Sequence, residues 1–177
     1  MTLSEKIKPF LRDVPDFPKP GVLFKDITPL LASPAMRSEV VKAMADQVRP
    51  FSPQAIAAVE ARGFIFGMLL AQELGISFVP VRKAGKLPYR KIHEQYALEY
   101  GIAEIEMHED ALARGTRVII HDDLLATGGT AAAAGKMVQR LGGIVAGYSF
   151  LINLSFLEGE KRLKEQFSVQ PQFLISF

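Results

Sequence analysis

The chain has 177 residues, 49% hydrophobic and 23% charged, with 21 Lys and Arg against 19 Asp and Glu. That length suits one domain with a substantial core, and a net charge of +2 argues against a nucleic-acid protein or an acidic tail. With no cysteine, disulfides and thiolate metal sites are excluded and nothing points to secretion, so the expectation is a cytoplasmic protein.

Met1 to Lys6 lacks the apolar core of a signal peptide. Thr2-x-x-Glu5 has capping-box spacing, and Leu3, Ile7, Phe10 and Leu11 repeat at helical intervals, so a short amphipathic helix opens the chain until Val14-Pro15 breaks it. Three prolines and a glycine between Pro15 and Gly21 force an extended, turning path. Ser33 then caps a helix with Pro34 at its first position and Val40, Val41, Met44 and Val48 on one face.

From there strands and helices alternate. Ala55 to Val59 reads as a strand, Phe64 to Leu74 as a helix ending at Gly75, and Ile76 to Val81 as a strand. A long irregular region follows, then Ile102 to Met107, whose alternating apolar and acidic residues suit a half-exposed strand. Val118 to Ile120 is a buried strand, and Thr130 to Leu141 a helix stopped by Gly142-Gly143. Ile144 to Leu154 is another buried strand. Gly142 to Leu157, the most hydrophobic stretch, contains Ser149, Asn153 and Ser155 and is shorter than the ~20 residues of a membrane span. Ser155-x-x-Glu158 repeats the capping-box spacing ahead of a helix to about Gln166, and Phe173 to Phe177 reads as a last edge strand. This order predicts an α/β fold: a mainly parallel sheet flanked by helices, with ligands beyond the carboxyl ends of its strands.

The most informative stretch is Val118-Ile119-Ile120-His121-Asp122-Asp123-Leu124-Leu125-Ala126-Thr127-Gly128-Gly129-Thr130. A buried strand ends in two carboxylates, a loop of small and hydroxyl residues follows, and a helix opens. Backbone N–H groups, two hydroxyls and the positive end of a helix dipole then surround one concavity, which suits a phosphate monoester. Asp122 and Asp123 would repel that phosphate, so they serve something beside it, either sugar hydroxyls or a divalent cation. A phosphate with paired hydroxyls nearby describes a ribose 5-phosphate. A glycine pair alone would be a plain turn; the acidic pair, threonines and strand turn the balance. Walker A, GxGxxG, HExxH and GxSxG patterns are absent from the sequence.

Two further loops stand out. Glu60-Ala61-Arg62-Gly63-Phe64 follows a strand in the same topological position, with a guanidinium fork and a glycine that allows close approach. Arg82-Lys83-Ala84-Gly85-Lys86-Leu87-Pro88, running on to Tyr96-Ala97-Leu98-Glu99-Tyr100-Gly101, is too long, basic and aromatic to be only a solvated charge run.

DDLLATGGT, EARGFIFG, RKAGKLP, YALEYG and the proline-rich FPKPGVLFKDITP together resemble the type I phosphoribosyltransferase family, in its adenine-using branch. The resemblance runs from Phe17 to the helix before Phe167. It implies one phosphoribosyltransferase domain over 1–177, with a small base-binding hood and N-terminal helix to about residue 32 and a core from 33 on. The implied reaction joins adenine to 5-phosphoribosyl 1-pyrophosphate (PRPP), giving AMP and pyrophosphate. In it Ala126, Thr127, Gly128, Gly129 and Thr130 hold the 5-phosphate, and Asp122 and Asp123 the ribose hydroxyls. Arg62, Gly63, Arg82 and Lys86 grip pyrophosphate, the Arg62 loop carrying a cis non-proline bond in many relatives. Leu23 and Lys25 read the purine edge through their backbone, while Phe24 and Leu124 cover its two faces. Glu99 matches the acid/base residue on a mobile catalytic loop that also carries Tyr100. Mg²⁺ is implied as a substrate-bound cofactor with no protein ligand set of its own. A homodimer is implied too, without nucleic-acid or membrane partners.

Two departures are visible. Lys25 stands where relatives often carry arginine, and His121 where they usually have an aliphatic residue; the latter reads as a strand-end histidine hydrogen-bonded in place. Two other readings stay open. An enzyme of the same fold for hypoxanthine, guanine or xanthine is disfavoured by the hood and YALEYG. A PRPP-sensing regulator should add a nucleic-acid-binding domain or basic face and lack Glu99. His93 and His108 have no second histidine at metal spacing and read as surface residues.

Overall fold

In the computed structural model, which describes residues 1–98 and 101–177, Thr2 and Glu5 close the capping box their spacing predicts. The Thr2 hydroxyl accepts the Glu5 N–H at 3.3 Å, and the Glu5 carboxylate accepts the Thr2 N–H at 2.6 Å. They start α1 (Leu3–Ile7), which passes into a 3-10 turn at Lys8–Phe10 and buries Ile7. The proline-rich stretch then proves to be the connection of a small antiparallel ribbon. Its strands are β1 (Arg12–Pro15) and β2 (Leu23–Asp26), in register Arg12 to Asp26 and Val14 to Phe24. Neither strand was legible in the sequence, because runs of four residues are too short to show a period-two pattern and need a partner to be strands at all. A single turn, α2 (Thr28–Leu31), leads to α3 (Pro34–Val48), where the Ser33 hydroxyl accepts the Met36 N–H as expected.

The remaining elements are β3 (Ala55–Val59), α4 (Gly63–Leu74), β4 (Ser77–Lys83), β5 (Lys91–Ala97), β6 (Ile102–His108), β7 (Arg117–Leu125), α5 (Gly129–Arg140), β8 (Ile144–Asn153), α6 (Gly159–Phe167) and β9 (Gln172–Ser176). The strands form one sheet in the order β5-β6-β4-β3-β7-β8-β9. Pairings from β4 to β9 are parallel, while β6 and β5 extend the sheet antiparallel, so the mainly parallel α/β expectation holds. Alternation along the strands feeds two cores. Ala55, Ala57 and Val59 pack with Ile120, Ala132 and Leu163 on the α5–α6 side. Ile56, Ala58 and Ile119 pack with Val40, Met44, Phe66 and Leu70 on the α3–α4 side.

Four expectations are corrected. The region after Val81 is not irregular throughout, since β5 pairs with β6 from Lys91–His108 to Ala97–Ile102. Its polar sequence hides a strand that cross-strand pairing creates. β6 is not half-exposed along its length, because Ile105, Glu106 and Met107 are all buried. β7 does not stop before the acidic pair but runs through it to Leu125, supported on one edge by β8. Finally, Ser155 and Glu158 form no capping box: the Ser155 hydroxyl donates to the Phe177 carbonyl at 2.7 Å, and Glu158 takes a left-handed conformation at the start of α6. A carbonyl distant in sequence but near in space outcompetes the local partner.

Candidate active site

Three loops singled out in the sequence leave the carboxyl ends of three neighbouring strands: residues 60–63 after β3, the segment after β4, and residues 126–128 after β7. Adjacent parallel strands therefore bring together segments some sixty residues apart, at the edge where such sheets bind ligands.

Ala126 to Gly128 form a tight turn into α5, with Gly128 at φ +76° and its carbonyl accepting the Ala132 N–H at 2.9 Å as the first helical bond. The turn frames a cavity of about 80 Å³ lined by Asp122, Leu124, Ala126, Thr127, Gly128 and Thr130. The opening helix aims its unpaired N–H groups and positive dipole end there, which suits an anion.

Beside it stand the carboxylates. Asp123 is buried, and its Oδ2 lies 3.1 Å from Arg62 Nε. Asp122 Oδ1 accepts the Asp123 N–H at 2.8 Å, and a Cβ added at Gly63 would stand 2.9 Å from that same oxygen. The Arg62-Gly63 turn thus abuts both carboxylates. Burial, followed by the charge of Asp123 beside it, pushes the Asp122 carboxyl well above the usual carboxylate range, with Arg62 offsetting part of the effect. A group that loses its proton reluctantly is suited to ligands that favour the anion, such as hydroxyl donors or a cation.

Arg62 also reaches the hood. Its guanidinium carbon lies 4.5 Å from the Phe24 ring centroid, and Nη1 donates to the Lys25 carbonyl at 3.5 Å. Phe17 meets Phe24 edge-on at 5.1 Å, while Leu23 is exposed. The Lys25 ammonium turns away, to Asp13 at 2.6 Å and over the Phe177 ring at 3.9 Å. Only the backbone of Lys25 therefore remains near Arg62. The Glu60–Ala61 peptide of the same turn is cis.

Arg82, at the end of β4, donates from Nε to Glu60 at 2.6 Å and from Nη1 to the Lys86 carbonyl at 3.2 Å. Burial would raise the Glu60 carboxyl, but the Lys83 N–H and Arg82 more than offset it and hold it below its ordinary value. Lys86 itself is exposed. Glu99 and Tyr100 lie outside the described residues, between Leu98 and Gly101, whose N–H and carbonyl pair at 3.0 Å.

His121 is not a strand-end residue. It is fully buried inside β7, against β3 and β8, and neither ring nitrogen has a partner in hydrogen-bond geometry. Burial lowers its pKa to about 4, slightly offset by the Ser149 backbone. The sequence reading also missed three neighbours of the site. A Cβ at Gly159 would stand 2.2 Å from the Ala126 carbonyl oxygen, so the start of α6 presses directly on the turn. Arg162 Nη1 lies 3.5 Å from the Thr127 carbonyl oxygen. Glu106 is taken up below. The only sequence signal for any of them is the glycine ahead of α6.

A phosphate-type turn between a strand and a helix, an acidic pair beside it and a basic loop across the same sheet edge define a sugar-phosphate transferase class. Residues 26–170 match the family model of the phosphoribosyl transferase domain, and the chain belongs to that family. Its relatives include adenine phosphoribosyltransferases. It is 53% identical to the adenine phosphoribosyltransferase of Cytophaga hutchinsonii, over 91% of this chain and 89% of that one. It is 52% identical to that of Myxococcus xanthus, over 92% and 88%. Among solved structures, the adenine phosphoribosyltransferase of Thermoanaerobacter pseudethanolicus superposes with a TM-score of 0.95 at 48% identity, covering 99% of this chain and 100% of that one. The Saccharomyces cerevisiae enzyme, complexed with an imino-altritol bisphosphate and adenine, gives 0.90 at 37%, covering 97% and 98%.

Proposed function

We propose that the protein transfers the 5-phosphoribosyl group of PRPP to adenine, giving AMP and pyrophosphate in purine salvage. The observation that carries this reading is the continuous path Phe24–Arg62–Asp123, which joins the aromatic ribbon to the carboxylates beside the phosphate-type turn. In this reading the amides and hydroxyls of Ala126 to Thr130 take the 5-phosphate, and Asp122 and Asp123 the ribose hydroxyls. The backbone of Leu23 and Lys25 reads the purine edge, with Phe24 and Leu124 against its faces. The bond from C1′ to pyrophosphate breaks, the electron pair leaving with pyrophosphate, as a purine ring nitrogen bonds to C1′. Arg62, the Gly63 backbone, Arg82 and Lys86 stabilise the charge that gathers on the leaving group. Glu99 takes the ring proton, a role worth ~10²–10⁴-fold, and Tyr100 is its neighbour in sequence.

Mg²⁺, when bound with the substrate, would supply positive charge that offsets the charge of the pyrophosphate leaving group. Asp123 is already engaged by Arg62, and no cluster of three His, Asp or Glu converges among the described residues, so the substrate would supply most of its ligands. We place the reaction in the cytoplasm, in keeping with a cysteine-free chain, and read residues 1–32 and 33–177 as hood and core of one unit. We further propose a homodimer. Ile65, Met68 and Leu69 stand exposed on α4, an apolar strip that a second copy would cover.

The test is direct: incubate the protein with Mg²⁺, PRPP and each purine, and detect nucleotide. AMP from adenine is expected, with little product from hypoxanthine or guanine, whose carbonyl would face acceptors in the hood at ~1–3 kcal/mol per mismatched group. Comparable turnover of an oxopurine would replace this reading with that of another base.

A further inference from the structure

Glu106 has no solvent exposure, whereas Glu104, the other acidic residue of β6, is only partly buried. Three successive backbone amides of the β4–β5 turn converge on it. Gly85 N–H donates to one oxygen at 3.0 Å, and Lys86 and Leu87 N–H donate to the other at 2.8 and 2.5 Å. Lys91 Nζ stands 3.5 Å away and His93 Nδ1 3.9 Å. Such a nest of amides is a binding site for an anion, here filled by the protein's own side chain. Burial drives the carboxyl toward its neutral form, but the amides of Leu87, Gly85 and Lys86 and the charge of Lys91 reverse that and hold it below its ordinary value.

A merely structural role does not call for this arrangement. Gly85 and Lys86 are exposed, so water could satisfy their amides, and the buried Leu87 amide alone would need only a neutral acceptor rather than a buried charge. What the carboxylate adds is a fixed turn. The Lys83 N–H is taken by Glu60 at 2.9 Å and that of Ala84 by the Glu104 carbonyl at 3.1 Å. Every amide from Lys83 to Leu87 is thereby occupied, and the turn can offer an anion nothing but side chains. Those are Arg82, Lys83 and Lys86, and Arg82 is itself tied to the Lys86 carbonyl.

We infer that Glu106 is a positioning residue for pyrophosphate: by clasping the amides of residues 85–87 it presents Lys86, and through the Lys86 carbonyl Arg82, as a preset cationic grip. This rests on the transferase reading above and extends it to a residue that does not touch substrate.

The test uses Glu106→Gln, which keeps the shape but turns an amide donor toward Gly85 N–H. Affinity for pyrophosphate with Mg²⁺ is read by calorimetry, and KM for pyrophosphate and for AMP by the reverse reaction. Expected is a loss of about tenfold in pyrophosphate affinity and a matching rise in its KM, with the AMP KM within about twofold. Amide exchange at residues 85–87 should accelerate. In a Lys86→Ala background the same substitution should shift pyrophosphate affinity less than it does in the wild type, because one of the two cations it positions is gone while the residue-86 carbonyl still holds Arg82. Glu106→Asp, too short to reach all three amides, should fall between, and it serves if the glutamine variant does not fold. Unchanged pyrophosphate affinity, an equal rise in both KM values, or an undiminished effect without Lys86 would each overturn the proposal. A wild-type protein that turns over no adenine overturns the transferase reading instead, while pyrophosphate calorimetry still reports on Glu106.

Discussion

Arg62 holds Asp123 at 3.1 Å while its guanidinium lies 4.5 Å from the ring of Phe24, so one side chain joins the acidic pair of the core to the aromatic hood. Any change at Arg62 should therefore reach both substrates. Arg62→Lys keeps the charge but loses the planar fork and the ring contact. We expect KM to rise about five- to tenfold for adenine as well as PRPP, given the ~0.5–2 kcal/mol scale of a guanidinium–ring contact. Phe24→Leu should cost less in the Arg62→Lys background than alone, because only its packing on the purine is then left to lose. A shift confined to PRPP would show that the hood contact is incidental.

The turn proposed to hold the 5-phosphate is packed from behind by the start of α6. Gly128 has φ +76°, and a Cβ there would stand 3.0 Å from the Gly159 carbonyl oxygen, so Gly128→Val is strained in two ways. Gly159→Ala is the sharper experiment, because its Cβ would stand 2.2 Å from the Ala126 carbonyl oxygen although residue 159 is far from the turn in sequence. Both variants should lose PRPP affinity by at least about tenfold with adenine affinity little changed. Wild-type PRPP affinity in Gly159→Ala would mean that α6 yields without disturbing the turn.

His121 makes stability sensitive to acid. Its folded pKa of about 4 lies below the ordinary 6.5, so below pH 6.5 the unfolded chain binds a proton that the folded chain refuses. Its contribution is present in full above about pH 6.5 and drains away as the pH falls toward 4, by up to ~3 kcal/mol for a gap of roughly 2.5 pH units. Urea unfolding at a series of pH values should show this loss, and His121→Ile should flatten it. An identical slope in the variant would assign acid lability to other groups.

Arg82 donates to Glu60 of its own chain at 2.6 Å, so action in a partner's site requires this pair to open. Arg82→Ala and Asp122→Ala should each be nearly inactive. If Arg82 acts across a two-fold dimer, every mixed dimer has one intact site and one doubly damaged site. Equal mixing with full exchange should then restore roughly a quarter of wild-type activity. No recovery despite verified exchange would keep Arg82 in its own subunit.

Much of this was readable from residues alone because the relevant physics is local. A β-branched run that ends in Asp122-Asp123 and breaks into Ala126-Thr127-Gly128-Gly129 must turn from strand to helix, and the helix start is an anion site whatever surrounds it. Thr2, Ser33 and Gly75 mark helix ends through their own side chains or backbone freedom, and the α/β order follows from alternating periodicity. Tertiary structure decided everything that depends on a partner distant in sequence. The β1–β2 ribbon and β5 exist only because another strand pairs with them. Ser155 abandons its local cap for the Phe177 carbonyl, and Arg62 finds Asp123 and Phe24 on segments that only folding brings close. Glu106 shows the difference most plainly: its alternation with apolar neighbours assigns it to water, whereas three amides about twenty residues earlier hold it in the core. Sequence periodicity records how a side chain is spaced along its own strand, but the free energy of a buried charge is set by the donors that surround it in space.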